Sequence, residues 1–276
     1  MSIFRQMAGS IQARHIQRPL GPPVQANDSI GDASDSLSVA SFEGGYDPME
    51  RISLVLAADR PVACIAFEDL EATLKDVSSA AEPILADDIV SADTPVLELV
   101  KLFSNESRVL YFVLHESQIT GTIYYEDLLG SSFKLCLFAL TLELEAVALD
   151  LALQKPRVSW SVMSDGRREK AMDVYRHRYK REPDPGRLPF DHLLGCTTFI
   201  DKGTILKKRR LIAYGPDEID SIFSEAERVR NSCAHTDPEK ELGRLLLDRA
   251  SLLGFINKTE EMIDSIRGQL QNQPGK

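Results

Sequence analysis

Groups able to do acid–base chemistry on a phosphate ester gather in one short run, Arg228-Val229-Arg230-Asn231-Ser232-Cys233-Ala234-His235-Thr236-Asp237. An imidazole has its ordinary pKa near neutrality, so His235 suits removal of a proton from a ribose 2′-hydroxyl. A planar guanidinium grips two oxygens at once, which fits Arg230 to the charge that builds on a pentacoordinate phosphate. Asn231 is placed to orient either group, and Arg228 is a supporting cation. On a regular helix five residues turn through about 500°, leaving Arg230 and His235 about 140° apart, whereas Asn231 and His235 are neighbours. Three arrangements would reunite them: a helix broken near Ser232, an Arg arm that curls round, or a second subunit facing the first across a two-fold axis. A histidine that only caps a helix C-terminus is the structural alternative.

The elements that must carry this run are helices. FKLCLFALTLELEAVALDLAL, residues 133–153, is apolar on nearly every face and predicts a central helix enclosed by others. Lys134, Glu143, Glu145 and Asp150 interrupt it too often for a membrane span. Glu143 and Glu145 stand two apart, so one of them is expected to point inward as a further supporting acid. Pro156–Asp165 reads as a linker and residues 166–182 as a basic helix. Thr198-x-x-Asp201 has the form of an N-terminal capping box. Gly215-Pro216 closes that element and opens the helix bearing Arg230, and the last helix is expected from Glu239 to near Gln269. Lys207–Arg210 is a basic run that either positions a nucleic-acid backbone or answers a helix dipole.

The net charge of −10 conceals an asymmetry. Residues 1–150 hold 9 basic against 23 acidic side chains and residues 151–276 hold 23 against 19, so only the second half suits a polyanionic partner. Within it, residues 155–181 hold 9 basic and 3 acidic side chains, a local density suited to phosphate. Four scattered cysteines without a Cys-x-x-Cys pair suggest neither a zinc site nor a disulfide framework. No metal or cofactor is expected, and a polar N-terminus without a signal-like apolar stretch points to a cytoplasmic protein.

Residues 1–46, rich in Ser, Gly, Pro and Asp, read as a disordered tail. After it, MERISLVLAAD predicts a short helix, PVACIAF a strand and DLEATLKDV a second helix. IVSADTPVLELVKLFS gives a strand, a Thr-Pro start and an amphipathic helix; two strands joined by a turn at His115–Gln118 and a helix start at EDLLG follow.

The fragments Asp93-Thr94-Pro95, VLYFVL and GTIYYEDLL resemble the CBS domain, with PVACIAFEDLEA as a degenerate first copy. That resemblance implies a regulatory domain over 47–130 whose ligand is an adenine nucleotide, with Thr94, Tyr124 and Asp127 at the ligand; Tyr124 stands where the family has Thr. Arg230-Asn231-x-x-x-His235 resembles the motif of HEPN domains, which implies a helical bundle over 131–276 and a metal-independent endoribonuclease that acts as a homodimer and leaves a 2′,3′-cyclic phosphate on RNA. The expected fold is therefore α+β, an α/β CBS-like half followed by an all-α HEPN-like bundle. A non-catalytic, nucleotide-sensing or RNA-binding dimeric protein is the competing expectation.

Overall fold

Short apolar runs dominate the first half of the chain and long helical runs the second, and the computed structural model follows that division. It describes residues 2–29, 32–33, 52–58, 60–66, 77–104, 108–184, 187–234 and 249–272. They fall into two compact units, Gly9–Gly130 and Met1–Ala8 with Ser131–Lys276.

The first unit is a duplicated strand arrangement. Strands β1 (Arg18–Pro19), β2 (Val24–Gln25), β3 (Ile52–Ala57), β4 (Arg60–Ala66), β5 (Glu82–Pro83), β6 (Ile89–Ser91), β7 (Leu110–His115) and β8 (Gln118–Tyr124) form two four-stranded sheets. In one, β2 runs parallel to β3, β3 and β4 make an antiparallel hairpin, and β5 closes the edge antiparallel to β4. In the other, β6 runs parallel to β7, β7 and β8 make the hairpin, and β1 closes the edge antiparallel to β8. One offset of 58 residues relates the bulge at Val55/Leu56 to that at Val113/Leu114, and the left-handed turn residue Ala58 (φ 50°) to Glu116 (φ 54°). The repeat extends to the closing strands, where Glu82 opposite Cys64 corresponds to Arg18 opposite Thr122. Besides α1 (Ile3–Ser10), considered with the second unit, the described residues here include the helices α2 (Val77–Ala80) and α3 (Val96–Ser104). On α3, Val96, Leu99, Val100 and Phe103 are buried at helical spacing, and Phe103 meets Tyr111 edge-on at 4.9 Å.

Two expectations need correcting. Residues 2–29 are not a disordered tail: Ala13 N–H donates to Thr94 O at 2.9 Å, Val96 N–H to Ile11 O at 2.9 Å, and β1 and β2 each complete a sheet. The segment's few apolar side chains gave no period: past α1, whose Phe4 and Ala8 are buried, its order comes from backbone pairing with Ala13 and Val24 as the buried hydrophobic side chains. Nor is ISLVLA helical: it is β3. An apolar run this short carries no period that separates strand from helix, and its antiparallel partner decides. The helix expected over 69–77 lies almost wholly outside the described residues.

The second unit contains, among its described residues, helices and no strand. These are α1, α4 (Ser131–Leu153), α5 (Pro156–Ser161), α6 (Asp165–Tyr179), α7 (Phe190–Leu194), α8 (Phe199–Arg209), α9 (Pro216–Ala234) and α10 (Arg249–Gln271). Helix α4 is central, touching α5, α7, α8, α9 and α10. It is not enclosed on every face, however: Leu135 and Leu142, seven residues apart, are 57% and 43% exposed. The expected linker at 156–165 begins with α5 instead. Pro156 occupies the first helical position, where its missing N–H costs nothing, and the turn carries Trp160 into a core with Ala152, Met163, Tyr175 and Leu194. Gly203 lets α8 meet α9 closely, since a Cβ there would stand 2.6 Å from the Phe223 ring.

Helix α1 is fastened to this unit by a buried carboxylate on α4. Glu143 Oε2 accepts from Ser2 Oγ (2.7 Å) and from Phe4 N–H (3.2 Å), Oε1 is paired with Arg267, and Arg5 on the same helix reaches Glu260 at 2.6 Å. Burial alone would raise the Glu143 carboxyl, but the hydrogen bonds and the Arg267 charge outweigh it and hold the carboxyl below its ordinary value. A group depressed in the folded state stabilises above its unfolded pKa and loses that contribution as pH falls through the folded value. The melting temperature is therefore expected to fall between roughly pH 5 and pH 3 more steeply in the native chain than in Glu143→Gln. Thermal unfolding followed by circular dichroism across that range checks this; parallel curves would show that the carboxylate is not the fastening.

Candidate functional site

Arg230 lies in the last turns of α9, and its guanidinium points at α4. Its Nη1 donates to Glu145 Oε2 at 3.0 Å, and its Cζ stands 5.3 Å from the centroid of the Phe199 ring at the start of α8. Glu145 Oε1 accepts from Lys202 Nζ at 3.0 Å, and Lys202 donates also to Thr197 O (3.0 Å) and Thr198 O (3.4 Å). One carboxylate thus bridges a cation from α8 and a cation from α9. The Lys202 side chain is 3% exposed, Glu145 23% and Arg230 26%. The buried end of the triad is therefore structural and the Arg230 end faces water.

Local sequence explains why α8 starts here. Thr198 caps the helix by accepting from Asp201 N–H, and Asp201 returns the bond to Thr198 N–H at 2.9 Å while pairing with Arg167. Placing Phe199 as the first residue after the cap sets its ring against Phe223 (centroids 5.2 Å apart) and beside Arg230. An aromatic face and an anion on neighbouring sides fix the guanidinium's direction.

The other expected residues are distributed as follows. Helix α9 runs without interruption to Ala234, so a break near Ser232 does not occur. Asn231 and Arg228 are exposed, and Arg228 Nε reaches Ser224 O at 3.4 Å rather than the triad. His235 lies outside the described residues. Both Glu143 and Glu145 are engaged internally, contrary to the expectation for one only. A two-residue step turns a helix by about 200°, so Glu143 serves α1 and α10 while Glu145 serves α8 and α9. Three of the four cations in the Lys207–Arg210 run are spent inside the unit, since Lys207 pairs with Asp220, Lys208 donates to Val162 O at 2.8 Å and Arg209 binds Ser159, while Arg210 is exposed. Burial pushes the Cys233 thiol up to about 11, against the pull of Lys134, so it is protonated and inert at neutral pH. Lys202 was missed because a lone Lys four residues past a capping Thr looks like any solvated helix lysine.

In the first unit the structure brings Tyr124 and Asp127 together. Asp127 Oδ2 accepts from Tyr124 N–H at 2.8 Å, and Oδ1 accepts from Arg18 Nε at 2.6 Å. The Arg18 guanidinium also lies 4.8 Å from the Tyr124 ring centroid. Gly121 permits this, since a Cβ there would meet Arg18 O at 2.6 Å. Thr94 instead serves the backbone, accepting from Ala13 N–H and donating to Ser91 O. A cleft of about 440 Å³ is lined from both sheets, by Cys64 and Glu82 of one and Phe112 of the other, together with Leu85, Asp88 and Arg108. By the 58-residue repeat Cys64 corresponds to Thr122, and Glu82 stands where the second half has Arg18.

No family model and no curated protein matches the chain. Solved structures similar to it include the cytosolic domain of the Mg2+ channel MgtE in complex with ATP (17% identity, 43% of this chain, 47% of that one, TM-score 0.35). Others are the CBS domain of a bacterial CNNM/CorC family Mg2+ transporter in complex with ATP (16%, 46% and 89%, 0.34) and the CBS domain of a CBS-domain-containing membrane protein from Sphaerobacter thermophilus (12%, 46% and 90%, 0.35). At TM-scores this low the likeness carries no argument. Among the described residues no helix is long and apolar enough to cross a membrane.

Proposed function

We propose that the chain is a metal-independent endoribonuclease of the HEPN type, regulated by a CBS-type first unit. The observation that supports this most is the partly exposed Arg230 side chain, aimed by Glu145 and Phe199, five residues before His235. Only Nη1 is taken by Glu145, so Nη2 and Nε are left for the phosphate. His235 takes the proton of the 2′-hydroxyl, the 2′-oxygen attacks phosphorus, and the bond to the 5′-oxygen breaks. The 5′-oxygen then takes up a proton, leaving a 2′,3′-cyclic phosphate. With α9 unbroken to Ala234 and Arg230 turned to α4, this reading has the site completed by a second copy, so the active species is a homodimer. The test is a chimeric oligonucleotide in EDTA: cleavage at ribose positions and none 3′ of a deoxyribose is expected, and cleavage at deoxyribose would overturn the reading.

A second reading, favoured by the 440 Å³ cleft, is that the first unit takes an adenine nucleotide as effector. Its volume lies within the range of small-molecule sites, about 300–1,000 Å³. In the second half Asp127 is held by Arg18, so Asp127→Ala should leave nucleotide binding unchanged, whereas Cys64→Trp, which fills the cleft, should abolish it. Calorimetry with AMP and ATP decides; loss of binding in Asp127→Ala with binding kept in Cys64→Trp would move the ligand from the cleft to the Arg18–Asp127 pair.

A further inference from the structure

The basic stretch at 155–181 is not uniformly neutralised. On α6, Arg167 is paired with Asp201, Arg168 with Asp165, and Arg176 with Asp173 and Glu182. Besides Lys155 and Arg157, which precede α6, that leaves Lys170, Arg178, Lys180 and Arg181 with no carboxylate partner among the described residues. Three of these four lie at the C-terminal end of α6, where an exposed aromatic ring also stands. Tyr179 is 37% exposed, its centroid 5.2 Å from that of His192 and 4.7 Å from that of the buried Tyr175. Arg181 donates to the Tyr175 hydroxyl at 3.0 Å, so the ring stack is braced from below. An ordinary solvated helix face carries cations without a ring at their centre; here both occur together, on a corner whose charge is unanswered.

This corner adjoins the Arg230 site through a short piece of chain. Arg178 Nη1 reaches Gly195 O at 3.4 Å, and Phe199, against which Arg230 lies, is four residues further on. Four residues span at most about 14 Å. Burial pushes the thiol of Cys196, between them, upward, while Arg178 from one side and Lys202 from the other both pull it down.

We propose that Tyr179 and His192, flanked by Arg178, Lys180 and Arg181, form a docking platform for single-stranded RNA. One base stacks on the Tyr179 ring and the adjoining phosphates meet the three cations, so that the strand runs along Gly195–Phe199 toward Arg230. Stacking tolerates any base, so the platform sets where the strand lies without selecting its sequence. Only its relation to the cut rests on the ribonuclease reading; binding is independent of cleavage.

The experiment is fluorescence anisotropy of an end-labelled single-stranded RNA of ten nucleotides, in EDTA, on the full chain carrying His235→Ala so that the strand stays intact. Adding Tyr179→Ala should weaken binding by about 5- to 150-fold, the range that loss of one stacked base gives. Tyr179→Phe, which keeps the ring, should bind as the parent does, separating stacking from a folding defect. Arg178→Glu or Lys180→Glu should weaken binding and lower the slope of log K against log salt by about 1 each. Unchanged binding in Tyr179→Ala, or a duplex or an acidic polypeptide bound more tightly than the single strand, would overturn the platform. Binding lost in Tyr179→Ala with wild type unable to cut would uphold the platform and remove the ribonuclease reading instead. Cutting by wild type with unchanged binding in Tyr179→Ala would do the reverse.

Discussion

Glu145→Ala is expected to destabilise the helical unit by about 3 kcal/mol, the lower end of the range for breaking a buried ion pair. The cost arises mainly at Lys202, whose ammonium is almost fully enclosed and would keep two carbonyl acceptors but no counter-charge. Arg230 loses less, because its outer donors already face water. The order of variants tests that assignment. Glu145→Gln retains an acceptor and should cost roughly half as much. Adding Lys202→Met to Glu145→Ala should recover part of the loss, because it removes the stranded charge from a site with room for an apolar chain. Urea unfolding of the four proteins measures each difference. A Glu145→Ala chain within about 0.5 kcal/mol of wild type, the scatter of ordinary surface changes, would mean that the triad is a solvated contact.

The second large effect is expected in catalysis. Arg230→Ala should lower the cleavage rate by about 10²- to 10³-fold, as loss of one preorganised charge-stabilising donor does elsewhere. Arg230→Lys should restore little of it, because a lysine keeps the charge but cannot offer paired donors while also holding Glu145. His235→Ala should cost about 10²- to 10⁴-fold and remove the limb of the pH–rate profile that reports the general base. Single-turnover rates across pH 5–9 in EDTA distinguish these. A variant that changes only the apparent affinity would assign Arg230 to RNA binding rather than to the developing charge.

What could be read from the residues, and what could not, divides along the range of the interactions. The Thr198–Asp201 capping box, the amphipathic helix from Val96, the hairpin turned at Glu116 and Ser117, and the unbroken helix over 131–153 are local, and each is written in a few neighbouring residues. Residues 18–25 carry no pattern of their own, since two-residue strands are ordered by the sheets they join; only knowledge of β3 and β8 makes them legible. The pairs Arg18 with Asp127, Lys202 with Glu145 and Arg267 with Glu143 span 109, 57 and 124 positions, so no spacing rule could announce them. In the candidate site, the Arg and the acid were each suspected singly, whereas the bridging lysine and the aromatic ring emerge only once α4, α8 and α9 are packed.

Charge is distributed differently in the two halves of the chain. The helical unit exposes the guanidinium and the unanswered cations of α6, and the first unit offers a cleft rimmed by Glu82 and Asp88 in which Arg108 is already held by Asp88.

The most direct test of the central claim is mass analysis of RNA ends after incubation in EDTA with wild type, Arg230→Ala and His235→Ala at equal concentration. Wild type should generate 2′,3′-cyclic phosphate ends that both variants fail to make. RNA left intact by wild type, or the same ends produced by all three proteins, would contradict it.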